Sequence, residues 1–295
     1  MGNNRIIRIG TRGSDLALWQ ANFVRESLEK LGNKVEITII HTQGDKIQDL
    51  SFDKLEGKGF FTKEIEQALL NKEVDLAVHS HKDLETTSPE GLTIAAVSDR
   101  EDPSELLLML PDSKDNSLQW HLKHSAIIGT SSARRKSQIL ANRPDLEIKD
   151  LRGNVPTRIQ KLRNGQYDAI LLAKAGVNRL KLDLSDLICV TLDPTAFVPA
   201  PAQGVLGLQT RIEDQELQLI LENLNHSKTK EKIEIERGVL KKMEGGCQLP
   251  LGVYCDGENV HVTYSKNATE KSSYIHFDSN QDDLVDKIVR HLKSL

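Results

Sequence analysis

The sequence predicts an α/β protein of two successive strand–turn–helix blocks followed by a small α+β tail. Three observations carry this reading. Short apolar runs of strand length alternate with stretches of helical spacing, the same grammar restarts near Asp102-Pro103, and from Glu213 the order changes to helices followed by a hairpin.

In the first block Ile6 to Ile9 reads as a strand. The polar turn Thr11-Arg12-Gly13-Ser14-Asp15 follows it, and Leu16, Trp19, Phe23, Leu28 and Leu31 recur at helical spacing until Gly32 closes the helix. Val35 to Ile40 is a second strand, Phe61, Ile65, Ala68 and Leu69 mark a helix face, and Val74 to Val78 is a strand running into Ser80-His81-Lys82-Asp83. The second block opens with Glu105 to Leu110. Ala126 to Gly129 then leads into Thr130-Ser131-Ser132-Ala133-Arg134-Arg135, with Ser131 or Ser132 placed to cap a helix. Glu147 to Leu151 feeds Arg152-Gly153-Asn154 and a helix through Ile159 and Leu162, and Asp168 to Leu172 is a buried strand. Pro194, Pro199 and Pro201 break the pattern ahead of Gly204 to Leu208 and mark a crossover between domains. In the tail, Leu217, Ile220, Leu221 and Leu224 form one amphipathic helix and Thr229 to Met243 a second, stopped by Gly245-Gly246. Val253 to Tyr254 and Val260 to Tyr264 flank the hairpin signal Asp256-Gly257, and Leu284, Ile288, Leu292 and Leu295 give a closing helix.

A chain of 295 residues with 38% hydrophobic and 28% charged residues buries a core, which excludes long-range disorder and a membrane-type composition. Lys and Arg total 39 against 43 Asp and Glu, a formal charge of −4, so no whole-molecule basic field gathers nucleic acid and any anion site is local. The longest apolar runs fall short of a membrane span, Met1 to Arg5 has no apolar signal core, and the sparse set Cys189, Cys247 and Cys255 suits a reducing compartment. The expectation is a cytoplasmic protein with neither membrane nor nucleic-acid partner. Cys189, between Ile188 and Val190, is expected to be buried.

The chemistry lies in where the cations fall. Arg12, Lys58, Lys82, Arg134, Arg135, Arg152 and Arg158 nearly all occupy turns after strands, the edge at which open α/β sheets bind ligands. Each alone is an ordinary surface cation; together they suit a ligand rich in carboxylates, which guanidinium forks bind bidentately. Thr130-Ser131-Ser132 adds hydroxyls and helix N-terminal N–H groups, which either cap the helix or favour an anion. Asp83 is the one acid in its cationic turn, suited to proton transfer or to balancing positive charge, or else to an ion pair with Lys82. Gly57-Lys58-Gly59 lacks the spacing of a nucleotide phosphate loop. His79 and His81 would face one side of an extended strand, but no third ligand lies nearby and no metal site is expected. Cys247, in Glu244-Gly245-Gly246-Cys247-Gln248-Leu249-Pro250, sits in a tightly bent loop that can present a thiol for covalent attachment.

Taken in order, Thr11-Arg12-Gly13-Ser14 with Leu16 to Gln20, Gly57-Lys58-Gly59, His79 to Asp83, Gly129 to Ser132 with Arg134-Arg135, Leu151 to Asn154 with Arg158, Ala202-Gln203-Gly204 and Glu244 to Gln248 resemble the hydroxymethylbilane synthases, or porphobilinogen deaminases, over nearly the whole chain. The resemblance implies two periplasmic-binding-protein-like (type II) α/β domains around a cleft and a small α+β C-terminal domain. The corresponding division is residues 1–98 with 202–218, residues 99–201, and residues 219–295. It implies a transferase of haem and tetrapyrrole biosynthesis that condenses four porphobilinogen molecules on a dipyrromethane cofactor joined by a thioether to Cys247, and it suggests a monomer. Asp83 would be catalytic. Lys82, Ser80, Thr130, Ser131, Ser132, Arg134, Arg135, Arg158 and Gly153 would hold the cofactor, and Arg12, Ser14, Lys58, Arg152 and Gln203 the substrate. By the same resemblance Asp83 assists ammonia loss and stabilises the cationic pyrrole that the growing chain attacks.

The chain departs from the commonest family pattern at Asp15, His81 and Pro156, none of which replaces a proposed chemical group. Asp15 lies in the turn of Arg12, and His81 sets a titrating group beside Asp83. The competing class is a non-catalytic anion-binding module of the same architecture; Cys247 discriminates, because such a module has no use for a covalently bound pyrrole.

Overall fold

The computed structural model describes residues 5–42, 62–246 and 248–295. The first elements are β1 (Ile6–Thr11), α1 (Asp15–Lys30), β2 (Lys34–Ile39), α2 (Lys63–Leu70), β3 (Leu76–Ser80) and β4 (Leu92–Val97). After them come β5 (Glu105–Met109), β6 (Ile127–Gly129), α3 (Ala133–Asn142), β7 (Glu147–Lys149), α4 (Val155–Arg163), β8 (Ala169–Ala173), α5 (Lys174–Leu180) and β9 (Ile188–Leu192). The chain ends with β10 (Leu206–Arg211), α6 (Gln215–Glu222), α7 (Ser227–Lys242), β11 (Leu251–Cys255), β12 (Asn259–Tyr264), β13 (Ser273–Asp278) and α8 (Leu284–Ser294).

The fold is mixed α/β, with two five-stranded sheets and one three-stranded sheet among the described residues. The first sheet runs β2-β1-β3-β10-β4, with β1 parallel to β2 and β3, and β10 antiparallel to both of its neighbours. The second repeats the plan as β7-β6-β8-β5-β9, with β5 in the antiparallel fourth place. The Pro-rich stretch connects β9 of the second sheet to β10 of the first, as the crossover reading expects. By contacts the chain forms two compact units. The first holds the described residues of Met1–Gln48, Gly57–Glu101 and Gly204–Glu231; the second holds Asp102–Gln203 and the described part of Lys232–Leu295, including the small sheet β11-β12-β13.

The central strands of both large sheets are covered on two faces, which is why β5 and β8 read as continuous apolar runs and β3 is apolar up to His79. In the first unit Ile7, Ile9, Val78 and Leu208 pack against Val24 and Leu28 of α1 and Leu217 and Leu221 of α6. Ala77 and Leu92 pack on the other face against Ile65 and Leu69 of α2. The expected boundary after residue 218 falls inside α6, whose packing holds the whole helix to the first sheet. In the second unit Leu107 and Met109 point to a core shared with Ile139 of α3, and Leu106 and Leu108 to one shared with Ile159 and Leu162 of α4. Each such side chain, fully buried, contributes on the order of 1.5–3 kcal/mol.

Cys189 is exposed, contrary to the expectation of burial. Strand β9 lies at a sheet edge, where period-two alternation turns Ile188 and Val190 onto the core and Cys189 outward. His79 and His81 do not share an extended strand: β3 ends at Ser80, and His81 opens a short 3₁₀ turn. Strands β4 and β13 and helix α5 carry no clear periodic signal; β4 is opposite a register shift in β10, and β13 is an edge strand with largely exposed side chains.

Candidate active site

In the first unit β1 and β3 are parallel neighbours, so the turns that follow them open at the same sheet edge. The turn after β1 places Arg12, half-buried, and Ser14, whose hydroxyl caps α1 by accepting from the Ala17 N–H at 3.4 Å. The turn after β3 carries Ser80, Lys82 and Asp83. Ser80 Oγ accepts from Nε2 of Gln20 at 2.8 Å, so α1 locks the start of this turn; Gln20 is a buried amide in a quoted motif to which sequence reasoning gave no role. The His81 N–H donates to the Val205 carbonyl at 2.9 Å. Gly207 of β10 lets the turn lie close, since a Cβ there would stand 3.1 Å from both His81 Cδ2 and Leu84 Cδ1. Lys82 is half-buried and Asp83 exposed, so the carboxylate projects from a turn pinned on both sides.

A buried polar line runs beneath that turn. His79 Nε2 meets Gln209 Oε1 at 3.1 Å, Gln209 Nε2 donates to Glu66 Oε1 at 3.0 Å, and Thr62 Oγ1 donates to Glu66 Oε2 at 3.4 Å. Burial pushes His79 down to about 4 and raises Glu66 above the usual carboxylate range, so His79 is neutral at physiological pH and occupied in the core.

In the second unit the turns after β6 and β7 are tied to each other. The Ser131 hydroxyl donates to the Leu151 carbonyl at 3.1 Å and accepts from the Leu151 N–H at 3.0 Å. Thr130 Oγ1 accepts from the Ser132 N–H at 3.2 Å, and Ser132 caps α3. Gly153 holds φ +112°, and a Cβ there would meet Thr157 Cγ2 at 2.7 Å; its carbonyl accepts from Arg158 Nε at 2.7 Å. Arg152 is half-buried in the same turn. Gln203 is buried, its Nε2 donating to the Pro103 carbonyl at 2.8 Å.

Arg134 and Arg135 fall in the first turn of α3, and both are buried. Their Nη2 atoms each reach one oxygen of Glu105 at 2.6 Å, while Nη1 of Arg134 donates to the Val198 carbonyl and Nη1 of Arg135 to the Leu171 carbonyl. Burial lowers the Arg134 pKa, and the Glu105 charge opposes that shift. Nε of Arg135 is buried without a hydrogen-bond partner among the described residues. Lys58 and Cys247 lie outside the described residues.

Two family models match the chain: "Porphobilinogen deaminase, dipyromethane cofactor binding domain" over residues 7–219 and "Porphobilinogen deaminase, C-terminal domain" over residues 230–264. The chain belongs to the porphobilinogen deaminase family. The porphobilinogen deaminase of Oceanobacillus iheyensis is 47% identical over 263 residues, covering 88% of this chain and 84% of the relative. That of Maridesulfovibrio salexigens is 48% identical over 260 residues, covering 88% and 82%. Among solved structures the Bordetella pertussis BvgS periplasmic VFT2 domain aligns over 74% of this chain and 86% of its own, with 15% identity and a TM-score of 0.44. A pyrrole cofactor bearing acetate and propionate arms needs cationic donors, and the described residues of the second unit fit one: Arg152 in the turn after β7, hydroxyls at the start of α3, and Arg135 Nε, buried without a hydrogen-bond partner among the described residues.

Proposed function

We propose that this chain deaminates four porphobilinogen molecules and joins them head to tail on a dipyrromethane primer, releasing hydroxymethylbilane. The observation that carries the assignment of chemistry is Asp83, an exposed carboxylate in a turn held by Gln20–Ser80 and by the Val205 carbonyl, beside Lys82 and on the edge shared with Arg12 and Ser14. When bound, the cofactor supplies the primer that lengthens with each turnover.

Each residue's part follows from its chemistry. Asp83 accepts a hydrogen bond from the substrate pyrrole N–H, and its negative charge opposes the positive charge that grows on that pyrrole as ammonia leaves. Lys82, Arg12, Arg152 and Arg158 neutralise acetate and propionate arms; Ser14, Ser80, Thr130 and Ser132 add neutral donors, whereas the Ser131 hydroxyl, committed to the Leu151 carbonyl, holds the turn in shape and does not donate to the ligand. In this proposal Lys58 and Gln203 take part in substrate binding, Gly153 keeps the turn open beside the ligand, and Cys247 anchors the primer through a thioether without taking part in each condensation. A cytoplasmic monomer completes the proposal; the free thiols of Cys189 and Cys255 fit a reducing compartment.

The test is the intact mass of the purified protein beside Cys247→Ser, before and after addition of porphobilinogen. A two-pyrrole excess on the native protein alone, growing in pyrrole-sized steps with substrate, is expected. A native protein that stays unmodified after incubation with porphobilinogen and with preformed hydroxymethylbilane would overturn the assignment.

A further inference from the structure

We propose that Glu105 is a positioning residue: its one carboxylate, divided between Arg134 and Arg135, sets both guanidiniums and leaves the buried group one positive charge in excess, which a ligand carboxylate completes. The inference rests on the pyrrole-carboxylate reading above. Glu105 opens β5, a strand otherwise apolar through Leu110, and is 0% exposed. Left alone, a carboxylate there would cost several kcal/mol in lost hydration. Antiparallel pairing sets Glu105 opposite Ala173, the last residue of β8, and β8 is parallel to β6. Glu105 therefore lies at the edge where β6 releases Thr130, Ser131 and Ser132.

The arginines are also placed against expectation. The first turn of a helix is the positive end of its dipole, where cations are disfavoured. Two of them there, 5% and 6% exposed, require compensation, and Glu105 supplies half of what is needed: two guanidiniums against one carboxylate leave a net charge of +1. The Val198 and Leu171 carbonyls fix one nitrogen of each fork, and Arg135 Nε keeps no partner among the described residues. The excess charge and the helix dipole thus act in the same direction, toward an anion at the start of α3.

The experiment follows loading of the full-length apoprotein with preformed hydroxymethylbilane by intact mass, for native protein, Glu105→Gln and Glu105→Asp, together with thermal midpoints in rising sulfate. Glu105→Gln is expected to acquire the two-pyrrole mass roughly tenfold more slowly or worse, because the forks lose their geometry. Its midpoint is expected to rise more steeply with sulfate than that of native protein, because the group then holds two uncompensated charges. Native loading by Glu105→Gln, or an unchanged sulfate response, overturns the proposal. If Glu105→Gln does not fold, Glu105→Asp decides: it keeps the charge but is one methylene too short to bridge both forks, so slow loading supports positioning and native loading refutes it. Failure of both variants to fold makes Glu105 a core requirement and also overturns it. A native protein that never loads counts against the functional reading instead, while the sulfate arm still judges Glu105.

Discussion

Replacing Gly204 by alanine tests how the crossover is fastened to the first sheet. Gly204 has φ +90°, and a Cβ there would stand 2.2 Å from the backbone oxygen of Glu101, whose own N–H donates to the Gly204 carbonyl at 3.1 Å. Two costs follow. The left-handed backbone with a side chain costs about 1–2 kcal/mol. Relieving the contact requires backbone to move by about an ångström, because the obstacle is a carbonyl and not a flexible side chain, and this breaks the Glu101–Gly204 hydrogen bond at about 1 kcal/mol with repacking of Val205 and Leu206 in addition. The sum is roughly 3–5 kcal/mol. Gly32 isolates the first cost: its φ is +83°, and nothing lies within 4 Å of its Cβ position. Urea titration followed by far-UV circular dichroism should place Gly204→Ala well below Gly32→Ala in midpoint, the difference being the steric cost. Equal losses for the two variants would refute the contact argument.

Three further outcomes are expected. Asp83→Asn, at an exposed position, should leave the urea midpoint near native while turnover with porphobilinogen falls about 10²–10⁴-fold; a variant with near-native turnover would remove Asp83 from its role. His79 is neutral in the folded core, with its pKa moved from 6.5 to about 4, so the unfolded chain binds the proton first, and stability present above pH 6.5 should fall as pH drops toward 4. This loss is roughly 3 kcal/mol, and His79→Gln should flatten that part of the stability–pH curve. Asp75 joins Arg8 and Arg211, which hold its carboxyl far below the usual range; its contribution is present above that range and is lost as acid protonates it. Asp75→Ala should cost about 3–5 kcal/mol at neutral pH by leaving the buried Arg211 short of a partner, and calorimetry of the variant checks it.

Much of this architecture is legible in one dimension. Apolar runs of strand length and helical spacing locate β1, α1, β3, β6, β8 and α8 to within a residue or two, because each is decided by which face it must bury. The Ser131-Ser132 pair announces the start of α3, since capping is a local hydrogen bond, and the structure selects Ser132 of the two. The edge positions of Arg12, Lys82 and Arg152 follow from the same strand ends. Cys189 shows where this reasoning stops: alternation sends it either inward or outward, and only the place of β9 at the sheet edge selects the exposed side.

The sequence by itself determined the α/β order, the cationic strand ends, Asp83 within its turn and the motifs of the family, because these depend on residue identity and local spacing. The tertiary structure alone decided that Gln20 holds Ser80, that His79 is occupied by Gln209, and that Glu105 divides itself between Arg134 and Arg135. Those partners lie 29 to 130 residues apart along the chain. Strand order brings them together, and a charge or hydroxyl carries no local mark of the partner it will meet once sheets have formed and water has been excluded.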